Sequence, residues 1–216
     1  MLCEKFLRTR ELYRAASILA LITIGYNILE GIVSVLMGTS DETLSLLGFG
    51  LDSFVEVVSG FGIWHMLRRL QRGEEKKRDE YEQKALRITG RAFSVLAAGL
   101  TVAAGLTLWE RHRPVTTVWG IVISLVSIAA MWLLIRQKIR VGRALGSDAI
   151  LADAACTRAC LLLSIVLLLA SAGYELTGFA GLDAAGSLAI ALLSLKEGRE
   201  AFAKSRGQSC SCGCSG

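Results

Sequence analysis

The chain has 216 residues, 53% of them hydrophobic, with a mean hydropathy of +0.50 and a single proline, Pro114. So much apolar sequence, gathered in long runs, excludes an ordinary soluble domain and favours one membrane bundle over two domains. The net charge of +5 does not mark a nucleic-acid partner, because the basic residues flank the apolar runs and no aromatic residues interleave with them to stack bases.

Residues 1–12 form a basic N-terminal arm. Within Met1–Arg14, Leu2, Phe6, Leu7 and Leu12 mix with Lys5, Arg8 and Arg10. This pattern suits either a short amphipathic helix on the membrane surface or a charged flank that sets topology. Residues 13–197 then carry six apolar runs, each near the roughly 20 residues that a spanning helix needs. The predicted spans are Tyr13–Leu36, Leu44–Leu67, Ile88–Trp109, Val115–Leu134, Ala149–Ala172 and Phe179–Leu195. The last is the shortest, and its length alone also fits a buried or interfacial helix. The first run is too long for a cleavable signal peptide and lacks a convincing cleavage site. Between the second and third spans, Arg68–Arg91 contains EEKKRDEYEQK and is expected to extend both spans as solvated helix. Residues 198–216 form a tail ending in SCSCGCSG. The fold class is therefore all-α, a polytopic membrane protein with six transmembrane helices.

Charge tests that count. Six spans put both ends of the chain on one side, together with the Arg68–Arg91 and Arg136–Arg143 loops. That side collects 21 of the 24 Lys and Arg residues, the opposite loops only Arg111 and Arg113, and Arg158 lies within a span. The asymmetry predicts a multi-pass membrane protein with both termini in the cytoplasm, in the inner membrane if the cell is bacterial.

Ionisable groups in hydrocarbon are expensive and mark pathways unless they are paired. The second span holds Asp52 and Glu56, in LDSFVE, one helical turn apart on one face. Two adjacent carboxylates in a low dielectric repel, so one holds a proton unless a cation is present. A divalent ion removes that conflict, and a proton carrier could use the same pair. The bland alternative is two neutral, hydrogen-bonded packing contacts. The fifth span, LADAACTRAC, holds Cys156 and Cys160, also four apart. Taken alone they read as small buried hydrophobes. Beside Asp52 and Glu56, they can close a four-ligand site of two oxygens and two sulfurs, if the two faces meet. Such a site suits Zn²⁺, and its sulfur favours thiophilic ions such as Cd²⁺.

These motifs resemble the membrane domain of the cation diffusion facilitator (cation efflux) family. DSFVE at Asp52–Glu56 fits that family's second span. Ala152, Asp153, Cys156, Arg158 and Cys160 fall on a fifth-span pattern like ADxxHxRxD. Asp183 and KEG at Lys196–Gly198 resemble its sixth span. The resemblance implies a cation-efflux-like bundle and a metal site of Asp52, Glu56, Cys156 and Cys160. Cysteine stands where the family has His and Asp, and Glu56 where Asp is common, so the family's usual Zn²⁺ is not implied. The chain ends about 20 residues after its last span, so the usual C-terminal cytoplasmic domain is expected to be lacking. A homodimer is a weaker expectation for that reason.

Other polar residues have narrower roles in prospect. Glu30, in YNILEG, is an accessory ligand, a proton relay or a partner for Arg158. Asp153 is close enough in angle to support Cys156 as an accessory. Asp148 lines an entry path or caps its helix. Asp183 caps the start of the sixth helix, and Arg158 has a pairing role. His65 and His112 sit at span ends, where an interfacial role fits better than ligation. Cys210, Cys212 and Cys214 alternate with Ser and Gly, and thiols so spaced can wrap a soft metal on the reducing cytoplasmic side.

The functional expectation is a proton-coupled exporter of zinc or of a softer ion such as cadmium. It is not an enzyme and needs no cofactor beyond the transported ion. Its partners are the lipid bilayer, the divalent metal ion and protons as counter-ion. With all four ligands ionised the site would carry about −4, so some ligand stays protonated when the metal binds. Two alternatives remain. A membrane thiol oxidoreductase using Cys156 and Cys160 would need a resolving motif that is not evident, and would leave Asp52 and Glu56 unexplained. A non-transporting metal-binding membrane protein would share the site but not the flux.

Overall fold

The computed structural model describes residues 2–41, 43–71, 78–110, 115–146, 148–179 and 181–206. At some positions inside its helices, among them 2–10, 152–153 and 155–156, only the backbone is described. The described residues form six helices: α1 (Leu2–Ser40), α2 (Leu44–Gln71), α3 (Arg78–Glu110), α4 (Val118–Leu145), α5 (Asp148–Thr177) and α6 (Gly181–Ser205). Four stretches among them, Glu11–Ser40, Leu44–Arg69, Val118–Leu145 and Thr157–Thr177, are long and apolar enough to cross a membrane. In α3 the apolar part is the shorter Phe93–Leu106.

The helices outrun the predicted spans for local reasons. The N-terminal arm continues α1 without a break, so it is not a separate surface helix. The expected loop Arg136–Arg143 is instead the last two turns of α4. Its sequence, RQKIRVGR, has good helix formers and no strong breaker. The helix stops at Gly146, which adopts a left-handed φ of 57° and donates its N–H to the Arg143 carbonyl. The start of α3 at Arg78 makes part of EEKKRDEYEQK helical, as expected.

The helices pack chiefly as three pairs, α1 with α2, α3 with α6, and α4 with α5. Contacts of α1 with α4 and of α2 with α5 close four of them into a ring. The α3–α6 pair joins that ring through α2 and α5. A core of Leu46, Phe49, Leu100, Ile123, Leu163 and Ile190 ties the layers together. The pattern inverts that of a soluble protein. Leu29, Leu36, Val102, Leu133, Leu169 and Leu192 face outward, while Asn27, Ser34, Ser124, Ser127, Ser164 and Ser187 are fully buried. In lipid an outward leucine costs nothing, and helices associate through close packing and polar contacts instead.

Glycine makes the α1–α2 contact close. A Cβ on Gly38 would lie 2.7 Å from the Leu47 amide nitrogen, and one on Gly50 would lie 2.8 Å from Ser34 Cβ and 2.9 Å from the Val35 nitrogen. Both approaches are backbone-to-helix contacts that no larger residue permits. They fix the register that sets Asn27 and Glu30 of α1 against Ser53 and Glu56 of α2.

At the end opposite the termini, polar groups tie the helix ends to one another. Val115 donates its N–H to the Asp41 carbonyl (2.9 Å), and Thr43 Oγ1 donates to the Thr116 carbonyl (3.0 Å). Glu175 of α5 accepts from the Thr117 N–H (2.6 Å) and the Thr116 hydroxyl (2.9 Å). Asp183 was expected to cap its own helix. It caps α2 instead, accepting from the Leu44 N–H (2.9 Å), the Ser45 N–H (3.0 Å) and the Ser45 hydroxyl. The unpaired amides at the start of α2 need an acceptor wherever it comes from, and a carboxylate also complements the helix dipole.

Gly50→Val should therefore lower stability by about 1–3 kcal/mol through overpacking, read as a fall in thermal midpoint in detergent. Gly99→Ala is the control: a Cβ at Gly99 meets nothing within 4 Å, so its midpoint should hold or rise.

Candidate metal centre

Three carboxylates are buried inside the bundle, Glu30 on α1 and Asp52 and Glu56 on α2. Asp52, Glu56 and Glu30 expose 2%, 9% and 7% of their surface. Asp52 and Glu56 are one turn apart on α2, so they share its inner face as their spacing predicts. Glu30 reaches the same region from α1. Each carboxylate has neutral donors. Glu56 Oε2 accepts from Asn27 Nδ2 at 2.8 Å, and Asp52 Oδ1 accepts from Ser194 Oγ of α6 at 3.0 Å. Glu30 accepts from the Tyr26 hydroxyl at 2.9 Å and from Ser53 Oγ at 3.1 Å. Ser127 of α4 also bonds into this group and pairs with Ser164 of α5 at 2.8 Å.

Asp52 acts electrostatically on Glu56 one turn away, with Glu30 and the half-buried Glu197 of α6 adding to the negative field. Neutral donors orient these groups but do not cancel their charge. Bringing the ionised groups together in hydrocarbon calls for cations. One resident cation is Lys138 of α4, 1% exposed, whose charge acts on Glu56 and whose ammonium donates to Thr157 Oγ1 at 2.9 Å. A further oxygen is on offer: Asn27 is fully buried, and its Oδ1 has no hydrogen-bond partner. The amide that donates to Glu56 thus leaves its carbonyl oxygen to accept a cation.

The sequence-derived residues divide into three groups. Asp52 and Glu56 share one face of α2, and Glu30 faces Ser53 of that helix from α1. Cys160 is a buried free thiol that packs with Met131 and Leu134 of α4, with Leu19 and Tyr26 of α1 alongside. It does not join Asp52 and Glu56 as a third ligand: among the described residues, no three His, Cys, Asp or Glu side chains could hold a metal ion together. The side chains of Cys156, Asp153 and Asp148 lie outside the described residues, as do His112 and the tail residues Cys210, Cys212 and Cys214. Arg158 is exposed, so it is not the partner of Glu30, which hydroxyl groups hold instead. His65 is exposed, consistent with an interfacial place.

Asn27, Ser194, Thr157 and Lys138 were not read from the sequence. A signal for Lys138 was present. The buried face of α4 runs Ser127, Met131, Leu134, Lys138, Val141, so the lysine stands on the inward stripe at helical spacing. Reading RQKIRVGR as a loop hid it.

Residues 17–207 match the family model of the cation efflux transmembrane domain. The chain belongs to the cation efflux family. Comparison with curated proteins gave no significant match. Cation efflux proteins are transporters, so the match makes the chain a multi-pass membrane transporter of divalent metal cations in general terms.

Replacing Asn27 by Leu should cost about 1–3 kcal/mol of stability, because Glu56 loses its amide donor inside the bundle. Unfolding in detergent, monitored by tryptophan fluorescence, measures it.

Proposed function

We propose that the protein exports a divalent metal ion from the cytoplasm in exchange for protons, with both termini cytoplasmic. The cargo is zinc or a softer thiophilic ion such as cadmium, and its ligands are Asp52, Glu56, Cys156 and Cys160. The observation that carries this is the pair of buried carboxylates on α2, oriented by Asn27 and Ser194 within a cation efflux domain.

The chemistry follows from the ligand types. Carboxylates and thiols bind metal in their deprotonated forms, so metal entry expels protons and protons in turn displace metal. This exchange needs no other energy source than the two gradients. Asp52 and Glu56 are already on one face. Cys160, packed against Met131 and Leu134, joins them when α5 turns relative to α2, a motion of the kind that moves a site from one side of a membrane to the other. Asn27 Oδ1 is a candidate accessory oxygen. Glu30 lies one turn beyond Asn27 towards the end opposite the termini, a fitting place for a proton relay. Cys210, Cys212 and Cys214 would collect soft metal on the cytoplasmic side without being required for transport. Asp153 would support Cys156.

Purified protein in proteoliposomes tests this with Cd²⁺ or Zn²⁺ flux and an internal pH dye. Metal movement should be matched by opposite proton movement. Asp52→Asn with Glu56→Gln should reduce flux to that of empty vesicles. Cys156→Ala with Cys160→Ala should depress Cd²⁺ flux more than Zn²⁺ flux, and unchanged transport of both ions would remove the thiols from the ligand set. Elemental analysis with and without the last eight residues should show metal lost in proportion to the tail's share while flux persists.

A further inference from the structure

Ser194 departs from the other buried serines of its helix. A serine inside a helix commonly turns its hydroxyl back to a carbonyl of the preceding turn. Ser187 does so to Ala184 at 2.9 Å, and Ser205 to Phe202 at 2.8 Å. Ser194 is fully buried and instead donates across to Asp52 Oδ1 of α2 at 3.0 Å. Two features hold it there. Asp183 of α6 caps the start of α2 through the Leu44 and Ser45 amides, which fixes how the two helices sit. Asp183, Ser187, Ile190 and Ser194 are all buried at helical spacing, so Ser194 belongs to the same inward face of α6 as that cap.

Asn27 makes the matching contact from α1, where its Nδ2 donates to Glu56 Oε2 at 2.8 Å. Each α2 carboxylate is thus held by a neutral donor from a different helix. Among the described residues, these donors reach one oxygen apiece, and Asp52 Oδ2 and Glu56 Oε1 are left over. The two oxygens of each carboxylate are then no longer equal to a cation. A donor points the positive end of its dipole at the oxygen it holds. An ion arriving at that oxygen either meets the dipole or displaces a charge-assisted hydrogen bond. An ion at the other oxygen does neither.

We propose that Ser194 is a selectivity residue of the metal centre: by holding Oδ1 it makes Asp52 bind the ion through Oδ2 alone. This rests on the transport reading above. One oxygen from Asp52 and one from Glu56, with the two thiols, complete a four-coordinate site, which is the geometry that Zn²⁺ takes. Mn²⁺, Mg²⁺ and Ca²⁺ call for about six or more oxygens, and Ca²⁺ often takes both oxygens of one carboxylate. Such ions are left short of ligands here. Ser194 therefore gives no atom to the ion and acts by withholding an oxygen. Through it α6, which carries none of the proposed ligands, takes part in the choice of ion.

The test uses the full chain in detergent, with Ser194→Ala, Ser194→Val and Ser194→Thr, and calorimetry with Zn²⁺, Cd²⁺ and Mn²⁺. Ser194→Ala should bind Zn²⁺ and Cd²⁺ about tenfold more weakly, the scale of losing a hydrogen bond behind a metal ligand, and Mn²⁺ as well as wild type or better. Ser194→Thr keeps the hydroxyl and should keep the wild-type preference. Ser194→Val has the shape of threonine without the hydroxyl and should behave as Ser194→Ala, so the Val and Thr pair separates the hydrogen bond from packing. Bound Co²⁺ gives a second readout, because its visible absorption is strong in four-coordinate sites and weak at higher coordination; it should weaken in Ser194→Ala. A serine that only supports packing would weaken all three ions by one factor and leave the Co²⁺ spectrum as it is. That result, or a wild-type preference in both Ser194→Ala and Ser194→Val, overturns the proposal. If the wild-type protein binds none of these ions, the transport reading fails and this proposal with it. If it binds them and only the preference does not move, this proposal alone falls.

Discussion

A carboxylate inside a lipid-embedded bundle must be given donors or opposite charge, and this chain buries three of them on α1 and α2. Asp52, Glu56 and Glu30 could not be left unpartnered there, since an uncompensated buried charge costs more than a typical domain can spare. The rest of the inner structure is arranged around that demand. Asn27, Tyr26 and Ser53 come from the α1–α2 pair, Ser194 from α6, Ser127 and Lys138 from α4. The glycine seam of α1 and α2 makes the first of these contacts feasible, because Asn27 reaches Glu56 only if the two backbones approach closely.

Opposite the termini, charged and polar groups cross between helices: Glu175 to Thr116 and Thr117, Asp183 to the start of α2, Thr43 to Thr116. Nearer the termini, Ala16, Ala20, Leu67, Val141 and Ile150 form an apolar cluster. Hydrogen bonds are directional and lost abruptly when geometry changes, so the crossed contacts fix how the starts of α2 and α4 sit against α5 and α6.

Much of this was legible in the sequence, for reasons that also mark where legibility stopped. Hydropathy and charge placed all six helices, because the membrane imposes length and the positive-inside asymmetry directly. The spacing of Asp52 and Glu56 gave their common face, because periodicity within one helix is geometry. What periodicity does not contain is which face meets which. Cys156 and Cys160 are spaced to share a face, but that spacing does not say that Cys160 packs against Met131 and Leu134 of α4. Asp183, three residues into α6, caps α2, a contact across 139 residues of sequence for Leu44. Glu30 is held by Tyr26 and Ser53 rather than by an arginine. Lys138 was lost for a simpler reason: hydropathy ends a span where charges begin, but the helix itself runs on to Leu145.

The ligand types also govern the charge accounting of the proposed centre. Two carboxylates and two thiols would carry about −4 when ionised, far more than one divalent ion offsets, which forces protons onto the thiols or acids. Because each of these groups binds metal only in its deprotonated form, metal entry at such a centre must release whatever protons its ligands hold, and that release is what would tie the movement of metal to a proton gradient.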